Sequence, residues 1–576
     1  MRSMVRLAGH FIRVCWGQGL RRAIMMAVAA LPPKLSGVLF RSARPFPTGP
    51  SNSAAYLARL KNRPLISIVM PVRDSAWLDA TLRSVFAQSY SRFELILVDD
   101  ASRRASTLKA LEFAARDARA RVIRNETAQG ISRATNAGIA AATGEFVGFM
   151  DHDDLLHPDA LALFLRTLDA GVEADVFYSD ELRMNASGFV TARVRKCSIS
   201  GDLLRSCNAV LHFCLIRRTL LEKLGRLDPE YDGAQDHDLM LRAFDAGARF
   251  CHMPFFLYAW RIHGKSFSSD TRVGGRAPAR LPAAYVAGKK AVAASLARLG
   301  IKAAVTDDGY PWYRVRRELP PDPGEAAIIV PFKDRADLLR RLVETIAITA
   351  YPRYSLWLVD NRSELPETKA YLQTLRDRKN IRVVEFDEPF NYSRLHNAMV
   401  ESIHNEILVF MNSDIEILEP YWLEAMLEHI HRPGVGAVGA RLLTRRGYLQ
   451  HGGMAFTPTA ARCAFNLDMD DEFYTRVQRE VSGVSAACMM IRRSVFRAVG
   501  GFDEVQFPIG FSDADLCLRL RRAGHSIIYT PFAVLGHNES ASRKTNDESY
   551  EKFALCERHA GDSAMRDRNY KTIPVE

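Results

Sequence analysis

ILVDDAS (Ile96–Ser102), GISRATNAG (Gly130–Gly138) and GFMDHDD (Gly148–Asp154) recur further along the chain as WLVDNRS (Trp357–Ser363), NYSRLHNAM (Asn391–Met399) and VFMNSDI (Val409–Ile415). Asp99 precedes Arg133 by 34 residues (133 − 99), as Asp360 precedes Arg394 (394 − 360). Asp99 precedes Asp151 by 52 (151 − 99), as Asp360 precedes Asn412 (412 − 360). One shared offset across separate motifs means two copies of one domain. In each copy the polar residues follow an apolar run, as at the carboxyl ends of strands where open α/β sheets bind ligands.

Around these motifs the pattern is α/β. Leu65–Met70 (LISIVM) is a continuous apolar run closed by Pro71, as expected of a buried parallel strand. Leu78–Gln88 has helical periodicity, Glu94–Val98 reads as a second buried strand, and Phe146–Met150 as a strand ending at Asp151. Ala283–Gly300 reads as a helix closing the first copy, and LPPDPG (Leu319–Gly324) as a rigid boundary before AAIIVPF (Ala326–Phe332) repeats the order. The alternation predicts parallel sheets wound with helices. The expected division is an arm and linker over 1–64, domains over 65–300 and 326–545 joined by a linker over 301–325, and a tail over 546–576.

The net charge of +12 is localised. No acidic residue precedes Asp74, while twelve basic residues do, so the rest of the 576-residue chain is near neutral. Nucleic-acid binding would spread the charge over a folded face. Here it lies on an arm that also carries Phe11, Trp16, Leu20 and Ile24. The arm reads as an amphipathic helix at an anionic bilayer surface, as a solvated basic tail, or as a short helix docked on the first domain. Its longest uncharged run, Ala23–Pro33, is too short to span a bilayer. Nine scattered cysteines without CxxC pairing point to reduced thiols in the cytoplasm, not to disulfides or a zinc site.

The strand ends supply the chemistry. Asp99 and Asp100 are placed to accept hydrogen bonds from a base or ribose, and Arg133 and Arg394 to pair with a phosphate or with the base-reading carboxylate. Asp151-His152-Asp153-Asp154 offers carboxylates one residue apart, which can converge on Mg²⁺ or Mn²⁺ bridging a diphosphate. Gln235-Asp236-His237-Asp238 and Ser512-Asp513-Ala514-Asp515 each open a helical pattern. An N-cap explains one Asp of each pair, and a general base for an attacking hydroxyl explains the other. His263 follows Asp236 by 27 residues (263 − 236) and His537 follows Asp513 by 24 (537 − 513), and imidazole is a fair Mn²⁺ ligand.

Both copies resemble family 2 glycosyltransferases of the GT-A fold. The motifs that match are SIVMPVRD, LILVDDAS, GISRATNAG, FMDHDD, GAQDHDL and WRIHGKS in the first, and IIVPFKD, LWLVDNRS, NYSRLHNA, FMNSD, GFSDADLCLR and LGHNESAS in the second. Such tandem chains resemble bacterial enzymes of O-antigen, rhamnan or related surface-polysaccharide assembly. The resemblance implies a nucleotide-diphosphate sugar donor, a divalent cation, inversion at the anomeric carbon, and a glycan or lipid-linked oligosaccharide acceptor, with the arm meeting the inner face of the cytoplasmic membrane. It implies Asp153 and His263 as metal ligands, Asp151 on the ribose or metal, Asp236 as base, and Pro71, Asp99, Asp100 and Arg133 around the donor. In the second copy the same roles fall to Asp414, His537, Asn412 and Asp513, with Pro331, Asp360 and Arg394. Asn412 replaces Asp151 and Asn361 replaces Asp100, which leaves fewer carboxylates there. No Q-x-x-R-W sequence occurs, unlike processive membrane synthases. Two other readings are a binding module that holds sugar nucleotide without transfer, and a nucleotidyltransferase. The segments PVRDSAW and PFKDRAD lack the glycines the latter needs.

Overall fold

The computed structural model describes residues 45–46, 53–60, 62–263, 281–456, 463–464, 474–538 and 549–559, so the basic arm lies outside the described residues. The chain divides into two compact units, one of Met1–Ile199, Asn208–Leu299 and Thr572–Glu576, the other of Ser200–Cys207 and Gly300–Lys571.

In the first unit, β1 (Ile66–Val72), β2 (Phe93–Asp99), β3 (Ala120–Arg124) and β4 (Phe146–Phe149) are joined through helices, and β5 (Leu155–Leu156), β6 (Val176–Asn185), β7 (Val190–Val194), β8 (Cys214–Arg217) and β9 (Phe250–Ile262) complete the sheet. The strand order is β3-β2-β1-β4-β8-β6-β9-β5, with β7 on β6. Its β3-β2-β1-β4 half is parallel, and β8 runs antiparallel between β4 and β6. The apolar runs become strands because both faces are covered: Ile68, Met70, Leu95, Leu97, Phe146 and Phe177 are fully buried. The helix Ile131–Ala141 approaches β1 so closely that a Cβ on Gly138 would lie 2.4 Å from Val69 Cγ1.

A small antiparallel pair, β10 (Ala303–Thr306) and β11 (Arg314–Arg317), precedes the second sheet. That sheet takes β12 (Ala326–Phe332), β13 (Tyr354–Asp360), β14 (Ile381–Glu385), β15 (Ile407–Met411), β16 (Ile415–Ile417), β17 (Val435–Leu443) and β18 (Leu449–His451). After the short β19 (Ala455–Phe456) and β20 (Cys463–Ala464) come β21 (Arg479–Val481), β22 (Cys488–Arg492) and β23 (Ser526–His537). The order β14-β13-β12-β15-β22-β17-β23-β16 repeats the first sheet strand for strand. The helix Ser549–Arg558, within the stretch expected as a tail, packs buried Ala554 and Leu555 with Phe507, Ala514 and Leu518 of this unit. Glu551 in that helix accepts the N–H groups of Ile509 (2.9 Å) and Gly510 (3.0 Å), just ahead of Asp513.

Ser200–Cys207 is part of the second unit. Its helix Gly201–Ser206 is capped by the Ser200 hydroxyl. Buried Asp202 pairs with Arg432 at 2.7 Å and Arg317 at 3.3 Å, and these cations outweigh burial to hold its carboxyl far below the ordinary range. The Ser206 carbonyl accepts the Tyr313 N–H at 2.8 Å.

Candidate active site

Asp151, Asp153 and Asp154 leave the end of β4 within one turn, and each meets a different partner. Asp153 Oδ2 lies 2.8 Å from His263 Nε2, and the His263 ring stacks on Trp77 with centroids 4.7 Å apart. Asp151 Oδ2 lies 3.3 Å from His212 Nε2, and the Asp151 N–H donates to the Tyr258 hydroxyl at 3.1 Å. Asp154 is fully buried and accepts the Arg261 N–H at 2.6 Å.

The electrostatics divide the cluster. Burial, with Asp151 and Asp153 nearby, pushes the Asp154 carboxyl well above its ordinary value. Burial disfavours a charged His212, but the hydrogen bond to Asp151 and the carboxylates of Asp151, Asp154 and Glu181 prevail and raise it to about 9. His212 in turn holds Asp151 below the carboxylate range against the effect of burial. Ligand atoms of Asp151, Asp154 and His212 lie within 4.8 Å of one another, but that group already carries its own cation. Asp153 Oδ2 and His263 Nε2 present an oxygen and a nitrogen side by side at the same turn. This donor set fits Mn²⁺ or Mg²⁺.

The second unit repeats one half of this arrangement. His537 Nε2 lies 3.4 Å from Asp414 Oδ1 and 3.3 Å from Asn412 Nδ2. Its Nδ1 faces Gln450 Oε1 at 2.8 Å, which favours the proton on Nδ1 and leaves Nε2 as a lone-pair donor. Sheet register shows that the two histidines are not equivalent positions. Ile415 pairs with His537 and Glu416 with Gly536 in the second sheet, where Leu155 pairs with Ala259 in the first. His537 therefore corresponds to Trp260, and His263 reaches Asp153 from three residues further on.

The same register exposes a contrast. Asp151, Asp154, Glu181, His212 and Tyr258 of the first unit correspond to Asn412, Ile415, Leu442, Ala487 and Leu535 of the second. Four polar groups beside the acidic turn are thus replaced by apolar side chains on an unchanged sheet.

Asp236 and Asp513 sit at the second positions of the helices Gln235–Asp245 and Ser512–Arg522. Neither Asp pair supplies the N-cap, which is Ala234 or Phe511 without a side-chain bond. Instead Asp238 and Asp515 are buried and salt-bridged to Arg242 and Arg519, each at 2.8 Å. That leaves the first carboxylate of each motif half-buried, with Oδ1 accepting the next residue's N–H, from His237 at 2.9 Å and from Ala514 at 2.8 Å. Asp236 Oδ2 accepts from Asn208 Nδ2 at 2.8 Å, and Asp513 Oδ2 from the Ala486 N–H at 3.0 Å.

Pro71 and Pro331 are the penultimate residues of β1 and β12, opposite Val98 of β2 and Val359 of β13. Asp99 is buried, bonded to Ser102 N–H and Arg124, each at 3.0 Å. Asp100 accepts from Gln129 N–H (2.7 Å), Asn125 Nδ2 (2.9 Å) and Gly130 N–H (3.0 Å), and these bonds outweigh burial to keep its pKa low. Both carboxylates therefore anchor the loops at the carboxyl ends of β2 and β3. Asp360 accepts from Ser363 N–H at 2.9 Å, and Asn361 donates to the Phe386 and Glu388 carbonyls. Arg133 is exposed, while Arg394 pairs with Glu388 (3.5 Å) and Glu504 (3.4 Å).

His212, Asn208, Tyr258 and Glu181 were not legible as site residues, because they lie where the two copies share no motif. A histidine with no counterpart in the other copy was the available signal.

Residues 67–193 match the model of glycosyl transferase family 2, and residues 323–559 that of glycosyltransferase like family 2. The chain belongs to glycosyltransferase family 2. Its two units are tandem GT-A domains, Rossmann-like at the parallel half of each sheet. This family 2 chain is 38% identical over 556 residues to the O-antigen biosynthesis protein RfbC of Myxococcus xanthus, covering 92% of this chain and 43% of that one. It is 36% identical over 504 residues to the uncharacterized protein y4gI of Sinorhizobium fredii, covering 85% and 54%. The chain thus spans about half the length of these relatives. A shorter match, 30% over 159 residues, is to the UDP-Glc:alpha-D-GlcNAc-diphosphoundecaprenol beta-1,3-glucosyltransferase WfgD of Escherichia coli, covering 27% and 62%.

Proposed function

We propose that this glycosyltransferase moves sugars, with inversion and with a divalent cation, from nucleotide-diphosphate sugars to a growing lipid-linked surface polysaccharide, using two active sites. The observation that carries the reading is the pairing of an acidic turn with a histidine in both units, Asp153–His263 and Asp414–His537, in a fold that also keeps Asp236 and Asp513 half-buried at helix starts. The names of RfbC and WfgD support the surface-polysaccharide and lipid-diphosphate parts.

Asp236 accepts the proton of an acceptor hydroxyl as its oxygen attacks the anomeric carbon. The nucleoside diphosphate leaves from the opposite face with the bonding pair, so a single displacement inverts the centre. Asp153 and His263 would hold the cation, which supplies charge compensation for the departing diphosphate. Asp513, Asp414 and His537 take these parts in the second unit.

The apolar substitutions beside Asn412 favour a second reading, in which the second unit binds a sugar nucleotide or glycan without transferring it. One experiment separates them. Nucleoside diphosphate release from UDP-, GDP- and dTDP-sugars is measured with Mn²⁺ and with EDTA for the wild type, Asp236→Asn and Asp513→Asn. Release lost in part with each variant supports two active sites. Release untouched by Asp513→Asn and abolished by Asp236→Asn supports one, and release untouched by either overturns both.

A further inference from the structure

One loop of the first unit, Asn208–Phe213, touches the candidate base at one end and the acidic turn at the other. Asn208 Nδ2 donates to Asp236 Oδ2 at 2.8 Å. Four residues later His212 Nε2 lies 3.3 Å from Asp151 Oδ2, its ring stacked on Tyr258 at 4.8 Å and 14°. The loop is fixed from beneath by Lys196, which is 2% exposed and donates Nζ to the Val210 carbonyl at 2.6 Å and to the His212 carbonyl. Lys196 is itself ion-paired to buried Glu181 at 3.4 Å. Between the two contacts Leu211 takes φ +37°, a left-handed conformation rare for a branched residue. Surroundings that impose such a conformation over-determine the loop.

The second unit shows that the fold does not require these side chains. There Ala487 falls where His212 does, just ahead of the paired strand, and Asp513 is held by the Ala486 N–H in place of an asparagine side chain. Glu181 and Tyr258, which pack around the first loop, correspond to Leu442 and Leu535. The equivalent sheet of the second unit is therefore built without the Glu181, His212 and Tyr258 side chains.

We propose that Asn208 and His212 are positioning residues of the first active site, a single loop that holds the base Asp236 and the donor-binding carboxylate Asp151 in fixed register. Asn208 turns Oδ2 of Asp236 away from the reaction and stabilises its ionised form, leaving Oδ1, which also accepts the His237 N–H at 2.9 Å, to meet the acceptor hydroxyl with its other lone pair. His212 fixes the rotamer of Asp151 against the donor. This inference rests on the reading of Asp236 as general base.

The test uses the full chain carrying Asp513→Asn, so that turnover reports the first site alone. UDP-glucose, UDP-N-acetylglucosamine, GDP-mannose and dTDP-rhamnose serve as probes, read by nucleoside diphosphate release. Asn208→Ala is expected to lower kcat roughly 10–100-fold, the loss of one charge-assisted hydrogen bond, with donor KM unchanged and the acid limb of the pH–rate profile moved to higher pH. Asn208→Ser, which keeps a donor, should recover part of the rate. His212→Ala is expected to raise donor KM by about tenfold and to leave the acid limb in place. A purely structural role would lower the amount of folded protein without moving either parameter. Wild-type kcat and acid limb in Asn208→Ala, or wild-type KM in His212→Ala, overturns the inference. Wild-type turnover in Asp236→Asn overturns the base assignment and the inference with it, whereas loss in that variant beside normal Asn208→Ala removes the inference alone. Failure of all four donors with the Asp513→Asn chain counts against both.

Discussion

His263 Nε2 lies 2.8 Å from Asp153 Oδ2, although 110 residues separate them in the chain. The end of β9 delivers the imidazole to the turn after β4, and stacking on Trp77 fixes the ring plane. His263→Ala should therefore weaken Mn²⁺ binding to the first unit by about 10–100-fold. Paramagnetic resonance of bound Mn²⁺ in the presence of UDP measures this. Trp77→Ala should produce a smaller loss in the same direction, since it frees the ring without removing the ligand.

Asp236→Asn and Asp513→Asn should each cut the turnover of their own unit by about 10²–10⁴-fold while leaving UDP affinity within a factor of two or so. Asp238→Asn and Asp515→Asn should act differently. Their carboxylates are buried against Arg242 and Arg519, so losing them destabilises by about 3–5 kcal/mol, which chemical denaturation would read.

Acid and alkali should stress the two units oppositely. His396 of the second unit is buried among Tyr392, Phe410 and Phe502, and burial lowers it from 6.5 to about 4. The unfolded chain takes up this proton first, so stability is lost as pH falls from 6.5 toward 4, about 1.4 kcal/mol per pH unit of separation. His429 and His451, lowered to about 3 by burial, add to the same slope. His212 of the first unit is raised to about 9. Its contribution is complete below pH 6.5 and fades as pH rises through 9. Hydrogen exchange read unit by unit at pH 5, 7 and 9.5 should show the second unit loosening in acid and the first in alkali, and His396→Leu should flatten the acid slope.

Truncation after residue 548 should destabilise the second unit and reduce the turnover that depends on Asp513. Removing Glu551 leaves the Ile509 and Gly510 N–H groups without their carboxylate, and removing His559 strips a 3.0 Å partner from fully buried Asp515. Glu551→Ala alone should cost about 1–3 kcal/mol, visible as a lower denaturation midpoint.

The sheets were legible in the sequence because buried parallel strands write themselves as unbroken apolar runs, LISIVM and AAIIVPF being the clearest. The acidic turns were legible because they follow such runs at matched distance. Less was visible of what surrounds them. Asp99 and Asp100 look like free ligands in sequence, yet their oxygens are engaged by Arg124, Asn125 and the turn at Gln129–Gly130, partners set by the meeting of β2, β3 and the next helix. The His spacings of 27 and 24 looked like one position with a small insertion. Strand register instead shows two different positions converging on one carboxylate. Asn208 and His212 were hidden because side chains on a loop declare themselves only through what the loop is folded against.

Ser200–Cys207 has a consequence for how such a chain can be divided. These eight residues precede β8 and β9 of the first unit in sequence, yet Asp202 pairs with Arg317 and Arg432 within the second unit. A gene cut at the boundary between the copies would give a second half in which Arg317 and Arg432 lack the carboxylate they share, and a first half with a helix torn from its packing. The doubling is written in tandem, but the seam is not: a cut that follows the fold has to carry that helix with the second half.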